Sequence, residues 1–198
     1  MKLHHLFSPF TVIAAVKTEL DMARAERMGV HNVFLVRSSL SELKVYSKQA
    51  EKSGMRLFVY FDMIRGLSQD KEAVQFLLNE VAVCGIVSNK AHVVKEAKRL
   101  GVFGILTMFL LDSYSLELSG KVINDLQPDA INIAPGNLPK NVRELSEQYD
   151  VPIIASGLIT LPEEVGKLYE AGACAVSTSQ SELWSIEWKM LEQEHHAP

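Results

Sequence analysis

The chain has 198 residues, 47% hydrophobic and 22% charged, which is ordinary globular usage and allows one domain with a substantial core. A formal net charge of −4 and a pI near 5.9 exclude a global basic field, so contact with nucleic acid needs a local patch. No apolar stretch is long enough to span a bilayer, and no charged-then-apolar leader precedes a small-residue cleavage site, so no membrane partner is expected.

Along the chain, short apolar runs alternate with helical patterns, at roughly 20–25 residues per unit. The first strand is expected at 11–16, followed by a helical run through Leu20, Ala23 and Met28. The second is expected at 32–36, with a helix starting near Ser39, and the third at 56–61, with a helix over 71–80. Strands at 83–87, 103–108 and 130–134 follow, each with a helix behind it, over 90–100, 113–125 and 139–149. The last two strands are expected at 151–155 and 173–176. Gly29, Gly54, Gly101 and Gly172 fall where helices stop, a position that favours left-handed glycine. Eight strand-then-helix units predict an α/β fold, a compact TIM (β/α)8 barrel with a parallel eight-stranded sheet. The barrel fills about 11–186 of a single domain spanning 1–198, and a polar tail follows. A doubly wound open sheet is the rival, but no GxGxxG follows the first strand.

Cys84 and Cys174 fall inside predicted strands 4 and 8, across the barrel from each other, so reduced thiols and a cytoplasmic protein are expected. His195 and His196 stand in the polar tail and do not define a metal site; no metal or cofactor is expected.

In such barrels binding and chemistry sit at the C-terminal ends of the strands, and the loops after strands 7 and 8 commonly hold phosphate. Those ends read Lys17, Arg37, Asp62, Ser88 with Lys90, Thr107, Asn132, Gly157 and Ser177-Thr178-Ser179. Strand 7 breaks into Ser156-Gly157-Leu158 and strand 8 into Ser177-Thr178-Ser179, small residues rich in backbone and hydroxyl donors. Gly157, Leu158, Ser177, Thr178 and Ser179 are therefore candidates for a phosphate group. Lys17 and Lys90 would add charge, while Asp62 and Asn132 would orient hydroxyls. Each has a plainer alternative: Lys17 solvated at a strand end, Asp62 turning or capping its loop, Asp112-Ser113 capping a helix. Pro135-Gly136 reads as a turn, with a left-handed or close-approach glycine. Lys90, Lys95, Lys98 and Arg99 lie on one helical segment, either a solvated face or a nucleic-acid patch.

Together these segments resemble the glycerol-3-phosphate-responsive antiterminators of bacterial glycerol uptake operons. The resemblance runs from about Val12 to Trp184. It rests on Val12-Ile-Ala-Ala-Val-Lys17, Asp62 with Gly66 and Asp70, Gly85-Ile-Val-Ser-Asn-Lys90 and Phe109-Leu-Leu-Asp-Ser113. Pro128-Asp129, Pro135-Gly136, Gly157-Leu158-Ile159, Ser177-Thr178-Ser179 and Leu183-Trp184 continue it. The resemblance implies a compact barrel that senses glycerol 3-phosphate and acts on leader mRNA; for such a contact the basic helical segment offers Lys95, Lys98 and Arg99 as candidates. Against the family pattern, Tyr60 replaces a histidine, Cys84 an acid, Leu106-Thr107 a Gln-Arg pair, Asn132 a glutamate and Ser156 a glycine; Arg37-Ser38-Ser39 stands for a Gly-Asp pair. Loss of an arginine and a glutamate together implies either removal of an internal ion pair or a changed ligand.

A sensor binding a small phosphorylated ligand is thus the first reading, with leader mRNA as its partner and a homodimer as one way to assemble a basic patch. No histidine stands at a strand end, which argues against acid–base catalysis and against an enzyme. A phosphosugar enzyme using Asp62 with Lys17 or Lys90, or a phosphate-binding barrel without an RNA role, are the alternatives.

Overall fold

The structure, a computed structural model, describes residue 7 and residues 11–110 and 113–185, leaving aside the side chains of residues 113–119. Eight parallel strands form one closed barrel: β1 (Thr11–Val16), β2 (Asn32–Leu35), β3 (Arg56–Tyr60), β4 (Gly85–Ser88), β5 (Phe103–Phe109), β6 (Ala130–Ala134), β7 (Ile153–Ser156) and β8 (Ala175–Thr178). Each pairs with the next in sequence, and β8 returns to β1 through Thr11↔Ala175 and Ala14↔Thr178. Seven helices follow the first seven strands: α1 (Glu19–Arg27), α2 (Leu40–Lys52), α3 (Lys71–Glu80), α4 (Ala91–Arg99), α5 (Ser113–Leu126), α6 (Pro139–Gln148) and α7 (Pro162–Glu170). A 3-10 turn, Ser181–Leu183, follows β8.

Local chemistry sets these boundaries. Thr18 and Asp21 form a capping box at α1, Ser39 and Glu42 another at α2, and Asp70 accepts the Ala73 N–H to cap α3. Gly29, Gly54, Gly101 and Gly172 all have positive φ just past helix ends, as expected. The expected Asp112-Ser113 cap and the histidines of the polar tail lie outside the described residues.

Two strands differ from expectation in a way that bears on the site. The sequence places β7 at 151–155 and β8 at 173–176, whereas both run two residues later at their starts and take in Ser156 and Ser177-Thr178. Pro152 has no N–H for the ladder, so β7 begins after it; the Pro152 carbonyl still accepts the Ile131 N–H at 2.9 Å. Cys84 and Cys174 likewise stand one residue ahead of β4 and β8, not inside them. Both thiols are free, and burial pushes Cys174 up to about 12.

Side chains alternate between the interior and the helical shell. The lower interior is filled by Ile13, Phe34, Phe58, Ile105 and Ile154, and Phe7 inserts beneath them with its ring 5.8 Å from Phe58. The shell has two cores, one centred on β1–β4 with α1–α4 and one on β5–β8 with α5–α7. The apolar floor leaves only the upper end of the barrel for polar side chains.

Candidate functional site

Above the apolar layer lies a closed set of neutral hydrogen bonds. Asn132 is fully enclosed; its Nδ2 donates to the Tyr60 hydroxyl at 3.0 Å and to the Thr107 hydroxyl at 3.1 Å. The Ser156 hydroxyl donates to Asn132 Oδ1. Both amide hydrogens of Asn132 and its oxygen are thereby spent on protein partners. Burial raises the Tyr60 pKa, offset only partly by its bonds to Ser156 and Asn132, so the phenol stays neutral at ordinary pH. Asn132 thus ties the floor together through three protein partners.

Two further candidates act as latches between neighbouring loops. Asp62, in the turn after β3, accepts the Ser88 hydroxyl at 2.8 Å through Oδ1 and the Asn89 N–H at 2.8 Å through Oδ2. Its carboxylate ties the end of β3 to the end of β4. The Thr178 hydroxyl donates to the Ile159 carbonyl at 2.7 Å and accepts the Gln180 N–H at 3.1 Å, joining the β7 and β8 loops. The Trp184 indole N–H reinforces this junction by donating to the Thr178 carbonyl at 2.9 Å. The Lys90 ammonium donates to the Gln69 side chain.

The β7 loop is different. Gly157 has φ +81° and Leu158 has φ +58°, and Leu158 is 69% exposed. A bulky residue in left-handed geometry costs roughly 1–2 kcal/mol, and a side chain this exposed buries little to offset it. The backbone N–H groups of Gly157, Leu158 and Ser179 meet no protein acceptor among the described residues, nor does the Ser177 hydroxyl. The loop is held open by Gly136, buried in the turn after β6, whose N–H donates to the Gly157 carbonyl at 3.2 Å. A Cβ on Gly136 would lie 2.2 Å from the Ser156 nitrogen. Its glycine is required by close approach and not by left-handed backbone, which resolves the two readings of Pro135-Gly136.

A cavity of about 600 Å³ opens over the ends of β1, β2 and β3. Lys17, Arg37 and Arg65 line it, together with Glu19 and Glu42. Lys17 therefore shares a cavity with Arg37 and Arg65, while Asp62, Lys90 and the β7–β8 loop residues line other parts of the same barrel end. Arg65 is absent from the sequence-derived candidates because it follows its strand by five residues; the loop carries it back, with Ile64 and Arg65 pairing to Ser38 and Ser39. The α4 patch has mostly spent its charge: Arg99 holds Glu96 through two bonds of 3.0 and 2.6 Å, and Lys98 reaches the Gln127 carbonyl and Asp129. Lys95 alone of that trio is unpaired. Among the described residues no cluster of His, Cys, Asp or Glu is placed to hold a metal, and no helix is long and apolar enough to cross a membrane.

Comparison with known proteins agrees with this layout. Residues 12–184 match the family described as glycerol-3-phosphate responsive antiterminator. An uncharacterized Escherichia coli protein, YgcP, is 30% identical over 191 residues, covering 96% of this chain and all of that protein. The crystal structure of a glycerol uptake operon antiterminator regulatory protein from Listeria monocytogenes superposes with a TM-score of 0.85 at 29% identity, over 88% of this chain and 94% of that one. A glycerol uptake operon antiterminator-related protein from Thermotoga maritima gives 0.80 at 28% identity, over 90% and 100% of the two chains. The chain belongs to the glycerol-3-phosphate responsive antiterminator family.

Proposed function

We propose that this family member is a regulator that binds a small phosphate ester, glycerol 3-phosphate or a close analogue, and acts on leader mRNA to control transcription termination. The observation that carries the ligand half is the β7 loop. Two consecutive left-handed residues, Gly157 and Leu158, present backbone N–H groups with no protein acceptor beside the open Ser177 hydroxyl and the Ser179 N–H. Oriented backbone donors of this kind suit an anion. Family membership and the likeness to the Listeria and Thermotoga proteins support the regulatory half. Two free cysteines fit a reducing, cytoplasmic setting.

The floor supports a binder over an enzyme. Its members are Tyr60, Thr107, Asn132 and Ser156, all neutral and bonded to one another. A neutral floor discriminates among the non-phosphate ends of esters less sharply than a charged one. Calorimetric titration of glycerol 3-phosphate, dihydroxyacetone phosphate and inorganic phosphate tests both statements. Gly157→Val should abolish ester binding with the fold intact by circular dichroism; unchanged affinity removes the phosphate from this loop. The wild-type preference for glycerol 3-phosphate over the other two should stay below about a hundredfold, roughly 2.7 kcal/mol. Turnover of any phosphosugar in the same panel would favour an enzyme instead.

A further inference from the structure

Resting on the antiterminator reading above, the geometry points to the C-terminal rim of the barrel, and not helix α4, as the seat of a single-stranded RNA. The first reason is charge. Arg99 is neutralised by Glu96 and Lys98 faces Asp129, so α4 offers little free positive charge. At the rim, the Lys17 and Arg37 side chains make no ion pair or hydrogen bond among the described residues. Arg65 stands 3.9 Å from Glu42 with 81% of its side chain exposed. Lys90 leans on a neutral amide, Gln69, which leaves its charge uncompensated. Two acids share the cavity: Glu42 is occupied by the Ser39 N–H and hydroxyl, and Glu19 is exposed. Cations follow β1, β2, β3 and β4 in turn: the Lys17 and Arg37 side chains unpaired among the described residues, Arg65 in an exposed ion pair with Glu42, and Lys90 on the neutral Gln69 amide.

The second reason is the apolar surface. Nine large apolar side chains are exposed among the described residues, and six of them stand at a strand end or on the loops and helix starts that follow one: Leu20, Met63, Phe109, Leu138, Leu158 and Leu161. Phe109 ends β5 and Leu138, Leu158 and Leu161 follow β6 and β7, so this side of the rim is apolar, while Leu20 and Met63 lie among the cations of the other side. Apolar surface gathered in this way marks a contact face. Single-stranded RNA complements both sides at once, with phosphates on the cations and unstacked bases on the exposed Phe109 ring and its aliphatic neighbours. A duplex would present only backbone and leave the apolar side unused.

The test is fluorescence anisotropy with a labelled 20-nucleotide oligo(U) and a labelled pool of random 40-nucleotide transcripts, both probe lengths being nominal (~20 and ~40) and set by typical site sizes. Arg37→Glu/Arg65→Glu should weaken binding at least about tenfold and reduce the magnitude of the salt slope by about 1.4, two contacts at ~0.7 each for a single strand. Lys52→Glu/Lys95→Glu, with Lys52 at the C-terminal end of α2 and Lys95 within α4, changes net charge equally and should have less than about a twofold effect. Phe109→Ala should weaken binding about tenfold and leave the salt slope unchanged. Thermal melts establish that each variant is folded. Loss confined to the Lys52/Lys95 pair, or equal in both pairs, overturns the rim assignment while the RNA role stands. Failure of the wild-type protein to bind either probe removes the RNA role and this inference with it.

Discussion

The floor of the barrel mouth and the β7 loop above it use the same kinds of polar group and arrive at opposite states. In the floor, Tyr60, Thr107, Asn132 and Ser156 satisfy one another. In the loop, the N–H groups of Gly157, Leu158 and Ser179 are left without protein partners among the described residues, at the cost of one left-handed non-glycine residue, Leu158. A buried polar group without a partner costs about 1–3 kcal/mol, so a closed network fixes shape, whereas an open donor at the solvent boundary is available for a ligand. Polar residue type alone does not distinguish the two; the bonding does.

The largest expected effect comes where the two regions touch. Gly136→Ala places a methyl 2.2 Å from the Ser156 nitrogen, backbone that has no rotamer to yield. It should cost about 3 kcal/mol in chemical denaturation and also impair phosphate-ester binding, since the β6 turn must move away from Ser156-Gly157. A variant with wild-type stability would show that the two turns are not in the contact described.

A smaller effect is expected inside the floor. Asn132→Ala removes the hub and leaves Tyr60, Thr107 and Ser156 to find other partners, for a loss of about 2 kcal/mol by urea denaturation. Inorganic phosphate should still bind with affinity within about threefold of wild type, because the loop donors are untouched. Loss of phosphate binding in a folded Asn132→Ala protein would collapse the distinction between floor and loop.

The smallest effect tests the loop's strain. Leu158→Gly frees a left-handed position of its Cβ and removes an exposed side chain. Stability should be unchanged or rise by up to about 1 kcal/mol, the glycine's entropy in the unfolded chain offsetting part of the relief. A clear loss of stability would mean that the Leu158 side chain packs against something and that the strain has a structural purpose.

Much of the architecture was legible in the sequence, since it depends on neighbours within a few residues. Period-two apolar runs, helical spacing, capping pairs such as Ser39 with Glu42, and glycines past helix ends are local signals, and eight repeats of the unit dictate a closed barrel. The substitution pattern also foretold a neutral floor, because Thr107 and Asn132 carry no charge whatever surrounds them. The tertiary structure alone decided which polar groups are spent. Asn132 meets Tyr60 across 72 residues, Asp62 meets Ser88 and Asn89 across 26 and 27, and Arg65 swings back beside Arg37 through a loop. These pairings depend on how strands lie side by side once the barrel closes. A carboxylate or an amide at a strand end therefore reads the same in the sequence whether it is free for a ligand or held by the next loop.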